Sequence, residues 1–138
     1  MWKESGRCFE MRDIDPNKAP RYITKSEEFL GVAKLAAQNE KYTSAVTNAI
    51  HSAISALDAL TTSYKGKRAS DDHTEVLALA AGIFSPKEYR EVKRQFISLI
   101  DKKNASEYQP DLMEPKDAQD SIKWAERILN KVKTKLKG

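Results

Sequence analysis

The stretch Tyr42 to Leu60, YTSAVTNAIHSAISALDAL, decides the fold. Ala45, Val46, Ala49, Ile50, Ala53, Ile54, Leu57 and Leu60 recur in it at steps of three and four residues. That spacing places them on one face of an α-helix, whereas a half-buried strand needs strict alternation. The stripe is rich in alanine, so a neighbouring helix can approach it closely. Beside it, Ser44, Asn48, His51, Ser55 and Asp58 form a polar row on a different face. A row of this kind is ordinarily solvated surface, and it is also the kind of face that borders a site or a partner.

The flanking segments read the same way. Thr24-Lys25-Ser26-Glu27 matches a capping-box helix start, followed by Phe29, Leu30, Ala33, Ala36 and Ala37 at helical spacing up to about Asn39. After the central helix, Val76, Leu77, Ala80 and Ile83 predict a third helix running to about Phe84. Ser85-Pro86-Lys87-Glu88 then supplies an N-cap serine, a proline at the first helical position and a glutamate at the third. Tyr89, Val92, Phe96, Leu99 and Ile100 form the inward face of that fourth helix. A loop carrying Tyr108, Pro110 and Pro115 leads to a last helix with Ala118, Ile122, Ala125, Ile128, Leu129, Val132 and Leu136 inward. Residues 1–23 read as an irregular arm, broken at Asp15-Pro16 and Ala19-Pro20, with Trp2, Phe9 and Met11 available to pack against the body. No strand is expected. The expectation is an all-α, up-and-down bundle of about five helices in one domain spanning residues 1–138.

Bulk composition agrees. At 138 residues, 40% hydrophobic and 32% charged, the chain can bury one core without disulfides or metal. Cys8 is the one cysteine, which excludes an intramolecular disulfide and a cysteine-based zinc cluster. The opening MWKESGRCFEMRD lacks the apolar segment of a signal peptide, and the apolar run Val76 to Phe84 is too short to span a bilayer. A cytoplasmic protein without membrane contact is expected. The net charge of +4 permits a polyanionic partner without requiring one. Lys131, Lys133, Lys135 and Lys137 crowd the last helix, where a solvated helix end that favours cations accounts for them.

Phosphate loops, zinc-protease and EF-hand motifs and nucleophile elbows are absent, and no cofactor or metal is implied. The candidate chemistry lies in Lys65 to Glu75, KGKRASDDHTE, which holds Arg68 and His73. On one continuous helix, five residues correspond to about 140° of rotation and the two side chains would diverge. A break relieves this: Asp72 as N-cap and Glu75 at the third helical position would start a new helix at His73, leaving Arg68 on the preceding turn. An imidazole in a first helical turn is disfavoured in its protonated form and so can accept a proton near neutral pH. Arg68, permanently charged and able to bind two oxygens at once, suits phosphate. The alternative is that His73 merely opens a helix while Arg68 pairs with Asp71 or Asp72.

The order of these features resembles the HEPN superfamily of small helical proteins. The resemblance rests on the alanine-rich helix YTSAVTNAIHSAISALDAL, the loop YKGKR, the histidine in SDDHTEVLAL, the KKNASEY stretch and the last helix DAQDSIKWAERILNKV, from about Thr24 to Leu136. It implies a metal-independent endoribonuclease whose signature is an arginine followed, after four to six residues, by a histidine. Arg68 and His73, with four residues between them, match that signature. In this reading they are catalytic, Lys65 and Lys67 hold the RNA backbone, and Asp58, His51 and Tyr108 stand behind them. It further implies a homodimer in which two motifs face one cleft, RNA or a nucleotide as ligand, and a nucleotidyltransferase or antitoxin as partner in a toxin or defence system. The alternative within the family is a non-catalytic module that binds a nucleotide or such a partner. Ala69 follows the arginine where active members often carry a polar residue, and Glu75 stands where one toxin branch carries a tyrosine.

Overall fold

A computed structural model describes residues 11–69 and 74–137. A short strand β1 (Met11–Asp13) and a 3-10 turn (Pro16–Lys18) precede α1 (Ala19–Gln38) and α2 (Tyr42–Lys65). Strand β2 (Lys67–Ala69) follows, then the short helix α3 (Thr74–Ala80), α4 (Pro86–Tyr108) and α5 (Pro115–Lys137). The all-α bundle of five helices expected from the sequence is the observed architecture.

The direction of each helix is legible from its cross-links. Ser26 of α1 meets Ser52 of α2, and Phe29 meets His51, so α1 and α2 form an antiparallel hairpin. Its turn carries Glu40 at a φ of 59°. Lys34 pairs with Glu126 and Lys133 with Glu27, which runs α5 antiparallel to α1. Lys131 pairs with Glu91 and Lys135 with Glu88, which runs α5 antiparallel to α4. The tail lysines expected to be solvated are thus largely committed to ion pairs across helices. Such exposed pairs each contribute little, but here they fix the same register. The Glu88 carboxyl is held below its usual range by the Ser85 backbone N–H and then by Lys135.

The alanine stripe of α2 sits at the centre. Ala45, Ala49, Ala53 and Ala56 are fully buried and let α1 and α5 close in, while Ile50, Leu57 and Leu60 pack with Phe96, Leu99, Ile128 and Val132 in one core. Where α1 crosses α2, Ser26 Oγ donates to the Ser52 carbonyl at 2.7 Å and Ser52 Oγ donates to the Ser26 carbonyl at 2.8 Å. Both serines are completely buried, so the small side chains set the helix separation and satisfy each other's hydroxyls.

Four sequence expectations change. First, α1 starts at Ala19, not Thr24, because a proline in the first turn blocks no helical hydrogen bond. Thr24 is helical and its hydroxyl donates to the Pro20 carbonyl at 3.2 Å. Second, two three-residue strands exist where none was expected: β1 pairs antiparallel with β2, Met11 opposite Ala69 and Asp13 opposite Lys67. Three residues are too few for alternation to register as a pattern. Third, α3 ends at Ala80 rather than near Phe84, because Gly82 takes a φ of 89° that unwinds the chain. Fourth, α4 continues through KKNASEY, so Tyr108 is its last residue and not part of a loop. Trp2, Cys8 and Phe9 lie outside the described residues.

Candidate functional site around Arg68

The site is built where α2 stops. Gly66 adopts a left-handed φ of 63°, and its N–H donates to the Thr62 carbonyl at 2.9 Å, which ends the helix and redirects the chain. The chain then runs as β2 across the end of the bundle, with β1 hydrogen-bonded along one edge. Ile14 N–H donates to the Gly66 carbonyl at 2.8 Å and continues that pairing. Arg68 therefore lies on a strand, where the spacing places it on a turn.

Arg68 is half-buried on β2, with Nη1 donating to the Ala69 carbonyl at 3.0 Å. Its guanidinium acts on Asp58, two turns back from the end of α2. Asp58 is 8% exposed, and burial pushes its carboxyl from 3.8 up to about 7, against the pull of Arg68 and then Lys25. A carboxyl that titrates near neutrality beside a fixed cation is the kind of group that proton-transfer sites use. The polar row of α2 is therefore not uniformly solvated. Ser44 and His51 are exposed, Asn48 is half-buried, and Ser55 and Asp58 are buried. The row sinks as it approaches β2.

The other sequence candidates fall in different places. Lys65, at the end of α2, is exposed. Lys67 is already paired, its Nζ lying 2.6 Å from Asp13 Oδ1 across the β1–β2 ladder. His51 lies two helical turns from Asp58, about 10 Å along the axis, with its ring 5.3 Å from that of Phe29. Tyr108 is 79% exposed at the C-terminal end of α4, about 30 Å of helix from Glu88. Glu88 sits at the α2–α5 terminus where Tyr64 donates to the Lys135 carbonyl, so Tyr108 is at the opposite end of the bundle from Arg68. His73 and its expected cap Asp72 lie outside the described residues, as does Asp71. α3 begins at Thr74, with Glu75 in its first turn. Ala69, the departure noted after the arginine, is 7% exposed and part of the core.

Lys25 is the residue that sequence reasoning missed. Local pattern assigns it to a capping box, yet it stands nearly two turns into the helix and its charge reaches Asp58. The available signal was the hairpin itself: α1 and α2 turn near Glu40, so residues equidistant from the turn face each other. No group of three or more metal-ligating side chains forms among the described residues.

The chain is an antiparallel helical bundle with an arginine just past the end of its second helix whose charge acts on a buried carboxyl. The model of the HEPN domain matches residues 19–135, and the chain belongs to that family. The fold is similar to that of TT1696 from Thermus thermophilus, a solved crystal structure. The TM-score is 0.71 at 18% identity, covering 86% of this chain and 98% of that one. No curated protein matches the chain. No helix among the described residues is long and apolar enough to cross a membrane.

Proposed function

We propose that the chain is a metal-independent endoribonuclease of the HEPN type, with Arg68 and His73 as its catalytic residues. The observation that supports this reading is that the charge of a half-buried Arg68 acts on a buried Asp58 whose carboxyl is pushed up to about 7. His73 takes the proton from the RNA 2′-OH as that oxygen attacks the adjacent phosphorus, and the 5′-oxygen departs with a proton, leaving a 2′,3′-cyclic phosphate. Arg68 stabilises the charge that builds on the phosphoryl oxygens. Asp58 holds Arg68 in place, and Lys65 and Lys67 hold the backbone of the strand. A second copy of the chain brings its own motif to the same cleft in a homodimer. A nucleotidyltransferase or antitoxin partner would place the protein in a toxin or defence system in the cytoplasm.

The test is cleavage of a single-stranded RNA, with the cyclic phosphate read by mass spectrometry. Arg68→Ala and His73→Ala are each expected to lower the rate at least ~100-fold, and DNA of the same sequence is expected to stay intact because it lacks the attacking hydroxyl. Undiminished cleavage by His73→Ala would overturn the mechanism.

One observation favours the alternative of a non-catalytic module: Lys67 and Arg68 are both engaged within the chain, by Asp13 and by the Ala69 carbonyl. That reading expects no cleavage by the wild-type chain, together with thermal stabilisation by a nucleotide or co-purification with a nucleotidyltransferase.

A further inference from the structure

A hollow of about 400 Å³ is lined by Ile14, Lys18, Arg21, Tyr22 and Lys25, and the Ile14 N–H is hydrogen-bonded to the Gly66 carbonyl. Its volume is in the range of small-ligand sites, about 300–1,000 Å³. Its lining holds three cations and no carboxylate. Some other lysines of the bundle, Lys34, Lys102, Lys131 and Lys133, are each closed by an acidic partner on another helix, whereas Lys93 and Lys123 are not among the ion pairs of the described residues. Lys18, Arg21 and Lys25 have no carboxylate at ion-pair distance among the described residues. Lys25 instead sits 5.6 Å over the Tyr22 ring. Exposed cations gathered around an aromatic and an aliphatic wall fit a nucleotide, with phosphate on the cations and sugar and base on the wall.

Two ties join this hollow to Arg68. Ile14 is bonded to Gly66, two residues before the arginine, and Lys25 and Arg68 both act on the same Asp58 carboxylate. These ties place the hollow at the same end of the bundle as Arg68.

We propose that this hollow is a nucleotide subsite for single-stranded RNA. It holds the nucleotide adjacent to the one at Arg68, with its phosphate on Lys18, Arg21 and Lys25 and its sugar and base against Tyr22 and Ile14. The subsite rests on RNA being the ligand of the Arg68 site, and it does not require that the RNA be cut.

The experiment measures binding of the full chain to a fluorescent single-stranded 2′-O-methyl RNA, which cannot be cleaved, by anisotropy across a range of salt. The double variant Lys18→Gln/Arg21→Gln removes two exposed cations from the hollow, and Lys93→Gln/Lys123→Gln removes two exposed cations from α4 and α5 as a charge-matched control. The hollow variant is expected to bind roughly tenfold more weakly, with a salt slope shallower by about 1.4, from about 0.7 per lost phosphate contact. Tyr22→Ala is expected to weaken binding further without changing that slope, and Tyr22→Phe to bind as wild type does. Equal losses in the hollow and control variants, or no loss in either, would overturn the subsite. Absence of RNA binding by the wild-type chain would overturn both this subsite and the proposed function. Specific weakening in the hollow variant, from a wild-type chain that cuts no RNA, would uphold the subsite and defeat the nuclease reading alone.

Discussion

Asp58 on α2 and Arg68 on β2 are ten residues apart in the chain, and after the left-handed turn at Gly66 the charge of the guanidinium still acts on the buried carboxyl. The pull of Arg68 does not fully offset the cost of burial, so Asp58 keeps its proton up to about pH 7. This relationship ties the acid-base behaviour of the protein to the geometry of a single turn.

It sets a pH dependence of stability. The folded protein holds the Asp58 proton from the unfolded value of 3.8 up to about 7, whereas the unfolded chain releases it near 3.8. Stability from this group is therefore greatest below pH 4 and falls steadily as the pH rises towards 7, by at most about 4 kcal/mol. Asp58→Asn removes the titration. The variant is expected to melt higher than wild type at pH 8 and to lose that advantage at pH 4. Parallel melting curves across that range would count against a buried, neutral carboxyl.

Gly66 is the hinge of the site. Its φ of 63° is costly for any residue with a Cβ, and a Cβ there would also meet the Ile14 carbonyl at 3.4 Å and Pro16 Cγ at 3.6 Å. Gly66→Ala is expected to cost about 1–2 kcal/mol in chemical denaturation. Hydrogen exchange should show faster exchange at Ile14 N–H, whose acceptor is the Gly66 carbonyl, while the amides of α5 keep their protection.

The Ser26–Ser52 crossing is expected to be sensitive to size more than to polarity. Ser52→Ala removes one donor and should cost about 1 kcal/mol. Ser52→Leu forces a large side chain between two helices that touch through serines, and should cost about 3 kcal/mol or more. A Ser52→Leu protein as stable as wild type would show that α1 and α2 are not held this closely.

Asp13 occupies Lys67 across the β1–β2 ladder, at 2.6 Å. Both side chains are substantially exposed, so the pair contributes little to stability. Asp13→Asn should leave the melting temperature within about 2 °C of wild type. It frees Lys67 for a phosphate, and binding to single-stranded RNA at low salt is expected to tighten several-fold. Unchanged affinity would mean that Lys67 does not contact the strand.

Much of the bundle is written in local pattern. The three- and four-residue spacing of Ala45 to Leu60, the capping box at Ser85 and Glu88, and the apolar faces of α4 and α5 are properties of single segments. Any chain with that periodicity buries the same side of each helix for the same hydrophobic reason. Arg68 and His73 stand out in the sequence through the resemblance to the family rather than through their spacing alone, and His73 lies outside the described residues. Chain-local reasoning fails where the deciding partner is remote. Ala19-Pro20 reads as a break until the helix it starts is packed on α2, and the strand at Lys67–Ala69 exists only because Met11–Asp13 pairs with it.

The sequence by itself therefore determined the helices, their inward faces and the residue types of the candidate site, since each depends on side chains a few positions apart. Only the tertiary structure decided that Asp58 is buried rather than solvated, that Lys25 and Arg68 converge on it, and that Lys67 is held by Asp13. Those facts depend on how far a charge lies from water and from other charges, and that distance is set by helices whose sequences are far apart.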